Sequence, residues 1–196
     1  MATESPSRKE ASHIRILDAA ARAIRRAGHA GVSVADVMKE AGLTHGGFYA
    51  HFGSRDEMVA AAIDYAGQQS GKSLGNSMTL QQEKGTSPFR SLVNAYLSPQ
   101  HMESPDAGCV VAALGSEMPR QSDAVRAAAR ERVLSLVRTV ESVLPPPAAA
   151  EASHVAGAMV GALQMARVLG GAEGKALLAA NRRILLERYD PENVKH

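Results

Sequence analysis

Aromatic residues and cysteine are scarce in this sequence. Phe, Trp and Tyr make up 4% of the 196 residues, Trp is absent, and the only cysteine is Cys109. A single cysteine excludes an intrachain disulfide and effectively excludes a cysteine-based structural zinc site. Because Ala, Leu and Met are abundant and β-branched runs are few, the composition favours helices and disfavours an all-β sandwich or barrel.

Long apolar runs and catalytic motifs are also lacking. No stretch approaches the roughly 20 apolar residues of a membrane span, and residues 1–10 are polar, unlike the apolar core of a signal peptide. We therefore expect a cytoplasmic protein that does not contact membranes. The sequence has no metal-ligand cluster, phosphate-binding loop or nucleophile elbow, so we expect no metal, no cofactor and no catalytic residues.

The charge that is present is unevenly distributed. Residues 1–55 hold 8 basic and 5 acidic side chains, whereas residues 56–196 hold 14 and 15. Four of the seven histidines also lie in the first 55 residues. This N-terminal excess of positive charge weakly indicates an anionic partner.

Caps and apolar periods predict an all-α chain of about nine helices. Ser7 and Glu10 have capping-box spacing, and the first helix then carries an apolar stripe. The stripe consists of Ile14, Leu17, Ala21 and Ile24. A second short helix is capped by Ser33 and stopped by Gly42, close to a third segment at 45–52, which is a helix-turn-helix arrangement. Ser54 then opens a longer helix, expected to fray near residues 71–75.

The remaining pattern predicts helices at 87–97, 109–118, 123–144, 149–169 and 173–189. Pro99 and Pro119 are expected to end helices, and the three prolines at 145–147 are a stop because none donates a backbone hydrogen bond. We predict two domains: a three-helix head at 1–52 and a helical body at 53–196. The connection between them is itself helical, so it can transmit a shift from body to head.

The segment from Val34 to Met58 resembles the DNA-binding segment of TetR-family transcriptional regulators. The resemblance rests on Gly-Leu-Thr at 42–44, the aromatic pair at 48–49, His51-Phe52 and the newly capped helix at Ser54. It implies a homodimeric regulator that binds double-stranded operator DNA, a repressor released by an effector. A helical adaptor that binds only protein, and a thiol-dependent enzyme using Cys109 with His101 or His154, are the alternatives.

Seven residues of the head, and Arg55 at the start of the following helix, are candidates for DNA contact. A recognition helix presents its first turn to base edges, which places Thr44, His45, Gly46 and Gly47 there. Phe48 and Phe52, four residues apart, are expected to anchor the helix in the core. The resemblance implies phosphate contacts for Tyr49, His51, Ser33 and Arg55. Ser33 and Thr44 also fit simple helix caps, and Arg55 also fits a pair with a neighbouring acid.

The last two helices are the candidate dimer interface. Their small residues permit close helix packing, and their leucines supply apolar area. The candidates are Gly157, Gly161, Ala162, Leu178 and Leu185. The resemblance implies a four-helix dimer bundle at this place; the alternative is that these residues complete the core of a single chain.

Cys109 is the candidate sensor. It stands at the predicted start of a helix, where the partial positive charge favours a thiolate, and this stretch resembles that of electrophile- and oxidant-sensing members of the family. A buried structural cysteine is the alternative. A reversible small apolar ligand among the body helices is the second hypothesis for the signal. Its candidate contacts are Met102, Val110, Met159, Leu163 and Gln164.

Overall fold

The computed structural model describes residues 7–190, so residues 1–6 of the polar N-terminus and residues 191–196 lie outside the description. Within the described range the chain forms nine α-helices, four 3-10 helices and no β-strand. The α-helices are α1 (Arg8–Ala27), α2 (Val34–Glu40), α3 (Arg55–Gln82), α4 (Pro88–Tyr96), α5 (Pro99–Glu103), α6 (Val110–Leu114), α7 (Asp123–Glu141), α8 (Ala152–Leu169) and α9 (Gly171–Tyr189). The predicted all-α class is confirmed. None of the helices between residues 7 and 190 combines the length and apolar character of a membrane crossing.

The head is built from α1, α2 and the 3-10 helix His45–Ala50, which we call the recognition segment. The Ser7–Glu10 capping box is formed, and the Ser33 and Ser54 hydroxyls accept hydrogen bonds from backbone amides of α2 and α3. In the predicted stripe of α1, Ile24 is fully buried while Ile14 is 45% exposed. Gly42 has φ of +69°, the left-handed conformation expected where α2 stops.

The connecting helix α3 is longer than predicted. Instead of fraying near residues 71–75 it continues to Gln82. Glycine within a helix costs about 1 kcal/mol, and tertiary packing outweighs that cost. Within this extension of α3, Leu74 and Met78 pack against the core of the body.

Three proline positions differ from the prediction. Pro99 begins α5 instead of only ending α4, because Ser98 caps a new turn by accepting a hydrogen bond from the His101 amide. Helix α6 is shorter than predicted and ends at Gly115, so that Pro119 falls in a separate 3-10 helix, Met118–Arg120. After Pro145, Pro146 opens the 3-10 helix Pro146–Glu151, which leads into α8.

Two hydrophobic cores hold the chain together. The first joins α1, α2 and the recognition segment to the start of α3, and it also takes in Val110, Leu114 and Met118 from the body. The second lies among α4, α7, α8 and α9. Head and body therefore share the first core, and the domain boundary after residue 52 stays a prediction.

Candidate nucleic-acid interface and effector cavity

The recognition segment presents its first residues to solvent. It is a 3-10 helix instead of the expected α-helical turn, and Thr44 precedes it without a side-chain cap bond. Thr44, His45 and Gly46 are exposed and Gly47 is half-buried. A side chain at Gly46 would meet no atom within 4 Å. The backbone at this point is therefore open to a close approach by a large partner.

Two phenylalanines anchor the recognition segment from behind, as their spacing predicts. Phe48 and Phe52 are 1% and 3% exposed, and their ring centroids are 5.8 Å apart. Tyr49 lies off this buried face and is 73% exposed, with its ring edge against Phe48. The segment thus offers a rigidly supported phenol to solvent.

His51 occupies a partly buried position at the end of the recognition segment. Its ring lies 5.6 Å from that of His13, which also stacks on Phe52. Burial lowers the pKa of His51, and the charges of His13 and Lys9 lower it further. The buried Nδ1 of His51 has no hydrogen-bond partner among the described residues. The neutral ring is therefore the favoured form at neutral pH.

Ser33 acts as the cap of α2. Its hydroxyl accepts a hydrogen bond of 3.1 Å from the Asp36 amide and donates one of 2.6 Å to the Asp36 carboxylate. The residue is exposed. Ser33 is therefore a helix cap, as one of the two interpretations predicted. A phosphate contact would be a second role for the same hydroxyl.

Arg55 is directed into the head instead of toward solvent. Its Nε donates to the Val32 carbonyl at 2.9 Å, and Nη2 donates to the His29 carbonyl at 2.5 Å. Asp56 lies 3.7 Å from Nη1, the neighbouring acid that the alternative interpretation foresaw. The guanidinium therefore fixes the α1–α2 loop and is not a free phosphate ligand in this arrangement.

Cys109 lines a cavity of about 260 Å³ between α3, α5 and α7. The residue caps α6, at the helix start that the sequence predicts, and it is half-buried. Hydroxyl groups from α3 and α7 line the opposite walls, among them Ser70, Ser73 and Ser135. We call this space the Cys109 cavity.

His101 holds the backbone beside Cys109. Its Nδ1 lies 2.7 Å from the Tyr96 carbonyl and its Nε2 accepts a hydrogen bond of 3.0 Å from the Cys109 amide. The ring is therefore neutral with the proton on Nδ1, in keeping with burial, which lowers the pKa of His101. The Nε2 lone pair is used by the amide, so this histidine is not arranged as a base for the thiol.

Tyr96 lines the Cys109 cavity, and its hydroxyl is buried. The residue is 1% exposed, and its hydroxyl has no hydrogen-bond partner among the described residues. Burial raises the pKa of Tyr96 well above its ordinary value, and the adjacent Cys109 raises it further. The hydroxyl is closed off from the open space of the cavity, so Tyr96 forms part of the wall beside Cys109.

Most of the predicted apolar effector contacts lie elsewhere. Val110 lines the Cys109 cavity, whereas Met102, Met159, Leu163 and Gln164 do not. Met159 and Leu163 are fully buried in the second core, and Met102 is also part of it. Gln164 donates a hydrogen bond to the Ala112 carbonyl at 3.0 Å. These four side chains serve packing because the inward faces of α5 and α8 meet there.

Three of the five predicted dimer residues are also in the core of the chain. Ala162, Leu178 and Leu185 are 1%, 1% and 6% exposed because they face α4 and α7. A side chain at Gly157 or Gly161 would meet no atom within 4 Å, so both glycines lie on the outer surface. The same surface of α8 and α9 exposes Ile184 and three apolar side chains that the sequence pattern did not single out: Met165, Val168 and Leu169.

Comparisons with known proteins agree with the fold. Residues 16–62 match the family model described as bacterial regulatory proteins, tetR family. No curated protein sequence matches the chain. A TetR-family regulator from Agrobacterium tumefaciens is 24% identical, with a TM-score of 0.72 over 92% of this chain and 98% of that one.

Two further solved structures are similar over nearly their whole length. A TetR-family regulator from Cytophaga hutchinsonii is 18% identical, with a TM-score of 0.74 over 98% of this chain and 100% of that one. The reduced form of NemR from E. coli is 14% identical, with a TM-score of 0.72 over 93% of this chain and 99% of that one. At these identities the similarity establishes the fold.

Proposed function

We propose that this chain is a homodimeric transcriptional repressor of the TetR family of bacterial regulatory proteins, whose family model matches residues 16–62. An effector that occupies or modifies the Cys109 cavity releases it from operator DNA. The observation that carries the proposal is the exposed recognition segment, anchored by Phe48 and Phe52 inside the stretch that matches the family.

The roles proposed at the DNA follow from exposure. Thr44 and His45 read base edges, because they are exposed polar side chains at the start of the segment. Gly46 and Gly47 let the backbone approach the groove. Tyr49, His51 and Ser33 contact phosphates, which fixes the register of the head without reading sequence. Arg55 has a positioning role, because it holds the Val32 carbonyl next to Ser33.

Dimerisation is proposed through the outer surface of α8 and α9. Val168 is 88% exposed and Ile184 54%, which leaves apolar area facing water. Two heads on one symmetric dimer can bind half-sites about 34–36 Å apart, which a single head cannot do. The small outward residues Gly157 and Gly161 allow the partner helix to come close.

The dimer is tested by Val168→Glu combined with Ile184→Glu. We expect light scattering to give twice the chain mass for wild type and the single-chain mass for the double variant. Leu80→Glu on α3, also an exposed apolar position at 60%, is the matched control and should stay dimeric. A wild-type protein that is monomeric at micromolar concentration and while bound to DNA would contradict the proposal.

Effector control is proposed at the Cys109 cavity for two reasons. Cys109 lies at the start of α6, which packs against α1 of the head, and it lines a cavity of about 260 Å³. The signal is a reversible ligand or a covalent change of the thiol. The NemR structure is described as a reduced form, which supports a test of the thiol first.

The test is fluorescence anisotropy with a duplex from upstream of the protein's own gene and a scrambled duplex. Each titration is made with and without a thiol-reactive quinone or hypochlorite, for wild type and Cys109→Ser. Specific binding that the reagent abolishes only in wild type supports thiol control. Specific binding that is insensitive to the reagent directs the search to reversible ligands. Equal affinity for both duplexes at every salt concentration would overturn the regulator itself.

A further inference from the structure

A second cavity, of about 350 Å³, lies between α3, α6 and α7 and shares Val110, Val111 and Arg132 with the lining of the Cys109 cavity. We call it the arginine-rimmed cavity. Ile63, Leu114 and Met118 form its apolar wall, and Arg126, Arg130 and Arg132 also line it. No carboxylate side chain lines this cavity. Its volume lies within the range of about 300–1,000 Å³ that is usual for small-molecule sites.

Arg132 is the polar group best placed to meet a ligand. Its side chain is 22% exposed, and its buried Nε makes no hydrogen bond among the described residues. The nearest acid is Asp64, whose Oδ1 lies 3.3 Å from that Nε without forming a hydrogen bond and whose side chain is 46% exposed. The ion pair with Asp64 is partly open to water and leaves the buried Nε without a hydrogen bond, so the guanidinium can pair with an additional anion.

The other two arginines add positive charge at the surface. Arg126 pairs with Asp123, which is 94% exposed, and Arg130 lies 3.4 Å from Glu131. Those carboxylates lie outside the cavity lining. Exposed pairs of this kind are weak, so the cavity combines three guanidinium groups with an apolar wall and has no carboxylate in its lining.

We propose that the arginine-rimmed cavity binds a small amphipathic anion, a carboxylate on an alkyl chain. The carboxylate pairs with the guanidinium of Arg132, and the alkyl chain lies against Ile63, Leu114 and Met118. A neutral apolar molecule would leave Arg132 with Asp64 as its one ionic partner, and a hydrophilic anion would leave the apolar wall in contact with water.

The position of the cavity connects such a ligand to the head. Ile63, Leu114 and Met118 belong to the core that also holds Phe48 and Phe52 behind the recognition segment. Close-packed cores transmit displacement instead of absorbing it. Occupancy of the cavity therefore changes affinity for operator DNA, a consequence that rests on the proposed function, whereas binding of the anion does not.

Isothermal titration calorimetry with octanoate, and with 1-octanol as the uncharged control, tests the binding. We expect octanoate to bind wild type more tightly than octanol. Arg132→Met should weaken octanoate by about tenfold, the loss of one charge-assisted pair, and leave octanol unchanged. Arg138→Met, an exposed arginine of the same helix that does not line the cavity, should bind octanoate as wild type does.

A second variant guards against a folding defect in Arg132→Met. Ala129→Leu fills part of the cavity and keeps Arg132; it should weaken both ligands while circular dichroism shows a folded helical protein. Octanoate binding that is absent in wild type, equal to that of octanol, or unchanged in Arg132→Met overturns the proposal. If octanoate binding depends on Arg132 but the protein binds no duplex specifically, the proposed ligand site is supported. In that case only the proposed function is overturned.

Discussion

Arg25, near the end of α1, donates a hydrogen bond of 3.1 Å to the backbone carbonyl of Asp106, three residues before Cys109. The same guanidinium donates to the Ala66 carbonyl at 2.5 Å and to Gln69 at 3.2 Å, both on α3. Arg25 is only 6% exposed. One buried side chain therefore joins the head, the connecting helix and the segment that leads to the Cys109 cavity.

A second hydrogen bond joins the head to the segment that follows α6. The His29 amide, just after α1, donates a hydrogen bond of 2.9 Å to the Glu117 carboxylate. The chain from Asp106 to Glu117 is thus attached to the head before and after α6. If an effector displaced α6, the hydrogen bonds of Arg25 to Asp106 and of His29 to Glu117 would transmit the displacement to the end of α1.

Arg25→Met should lower the free energy of unfolding by about 1–3 kcal/mol, because buried carbonyl acceptors lose their donor. Urea unfolding at one fixed protein concentration measures the change. Arg26→Met is the matched control: Arg26 is 54% exposed and its ion pairs with Glu40 and Asp106 lie at the surface. Arg26→Met should lower the free energy of unfolding by less than about 1 kcal/mol. Equal losses in the two variants would contradict the role given to Arg25.

Tyr49→Phe should weaken binding to operator and scrambled DNA alike, by about tenfold, because a phosphate contact carries no sequence information. The Phe48 contact involves the ring, which this change keeps, so stability should shift by less than about 0.5 kcal/mol. His45→Ala, by contrast, should weaken binding to the operator only. Anisotropy titrations on both duplexes compare the two variants. If Tyr49→Phe bound both duplexes as tightly as wild type does, the proposed contact between Tyr49 and a phosphate would be wrong.

Local pattern was sufficient to predict the anchors of the recognition segment. Phe48 and Phe52 are four residues apart, so their burial and the exposure of Tyr49 follow from helical geometry alone. Caps at Ser7 and Ser54 depend on neighbours three residues away and were equally predictable. The inward direction of Arg55 could not be predicted, because its acceptors, the carbonyls of Val32 and His29, are more than twenty residues away in the sequence.

The body shows where periodicity fails. Helices α8 and α9 carry apolar residues on two faces, so spacing alone could not separate the buried Leu178 from the exposed Ile184. The effector cavity posed the same difficulty. Tyr96 and His101 meet Cys109 only because α4, α5 and α6 pack together, and nothing in their sequence spacing indicates this arrangement.

Gly174→Ala should destabilise the protein by about 1–3 kcal/mol, the usual cost of overpacking. A side chain at Gly174 would collide with the Ala166 carbonyl of α8 and come within 2.9 Å of the Met102 sulfur. Gly75→Ala in α3 is the matched control, because a side chain there meets nothing within 4 Å. It should stabilise by about 0.5–1 kcal/mol. Thermal unfolding of both variants, each compared with wild type, measures these changes. If Gly174→Ala were as stable as Gly75→Ala, the close approach of Gly174 to the Ala166 carbonyl would be refuted.

The contribution of His101 to stability should decrease in acid. Burial lowers the pKa of His101 in the folded protein, and Arg167 lowers it further, while the Tyr96 carbonyl opposes the shift. The unfolded chain has a pKa of about 6.5, so it binds a proton more readily than the folded protein. The stability due to neutral His101 is therefore fully present above that pH and is lost as the pH falls through the folded pKa. Protonation of Nε2 also removes the acceptor of the Cys109 amide.

His101→Asn makes this dependence measurable. The difference in free energy of unfolding between wild type and His101→Asn should be larger at about pH 7.5 than at about pH 5.5, on either side of the unfolded pKa. His45→Asn, at an exposed position, is the control for the exchange of histidine for asparagine itself. Comparing variants isolates His101 from His29 and His51, whose pKa values burial also lowers. A difference for His101→Asn that grows as the pH falls would mean that the folded protein holds this ring charged, and would reverse the assignment of its proton to Nδ1 alone.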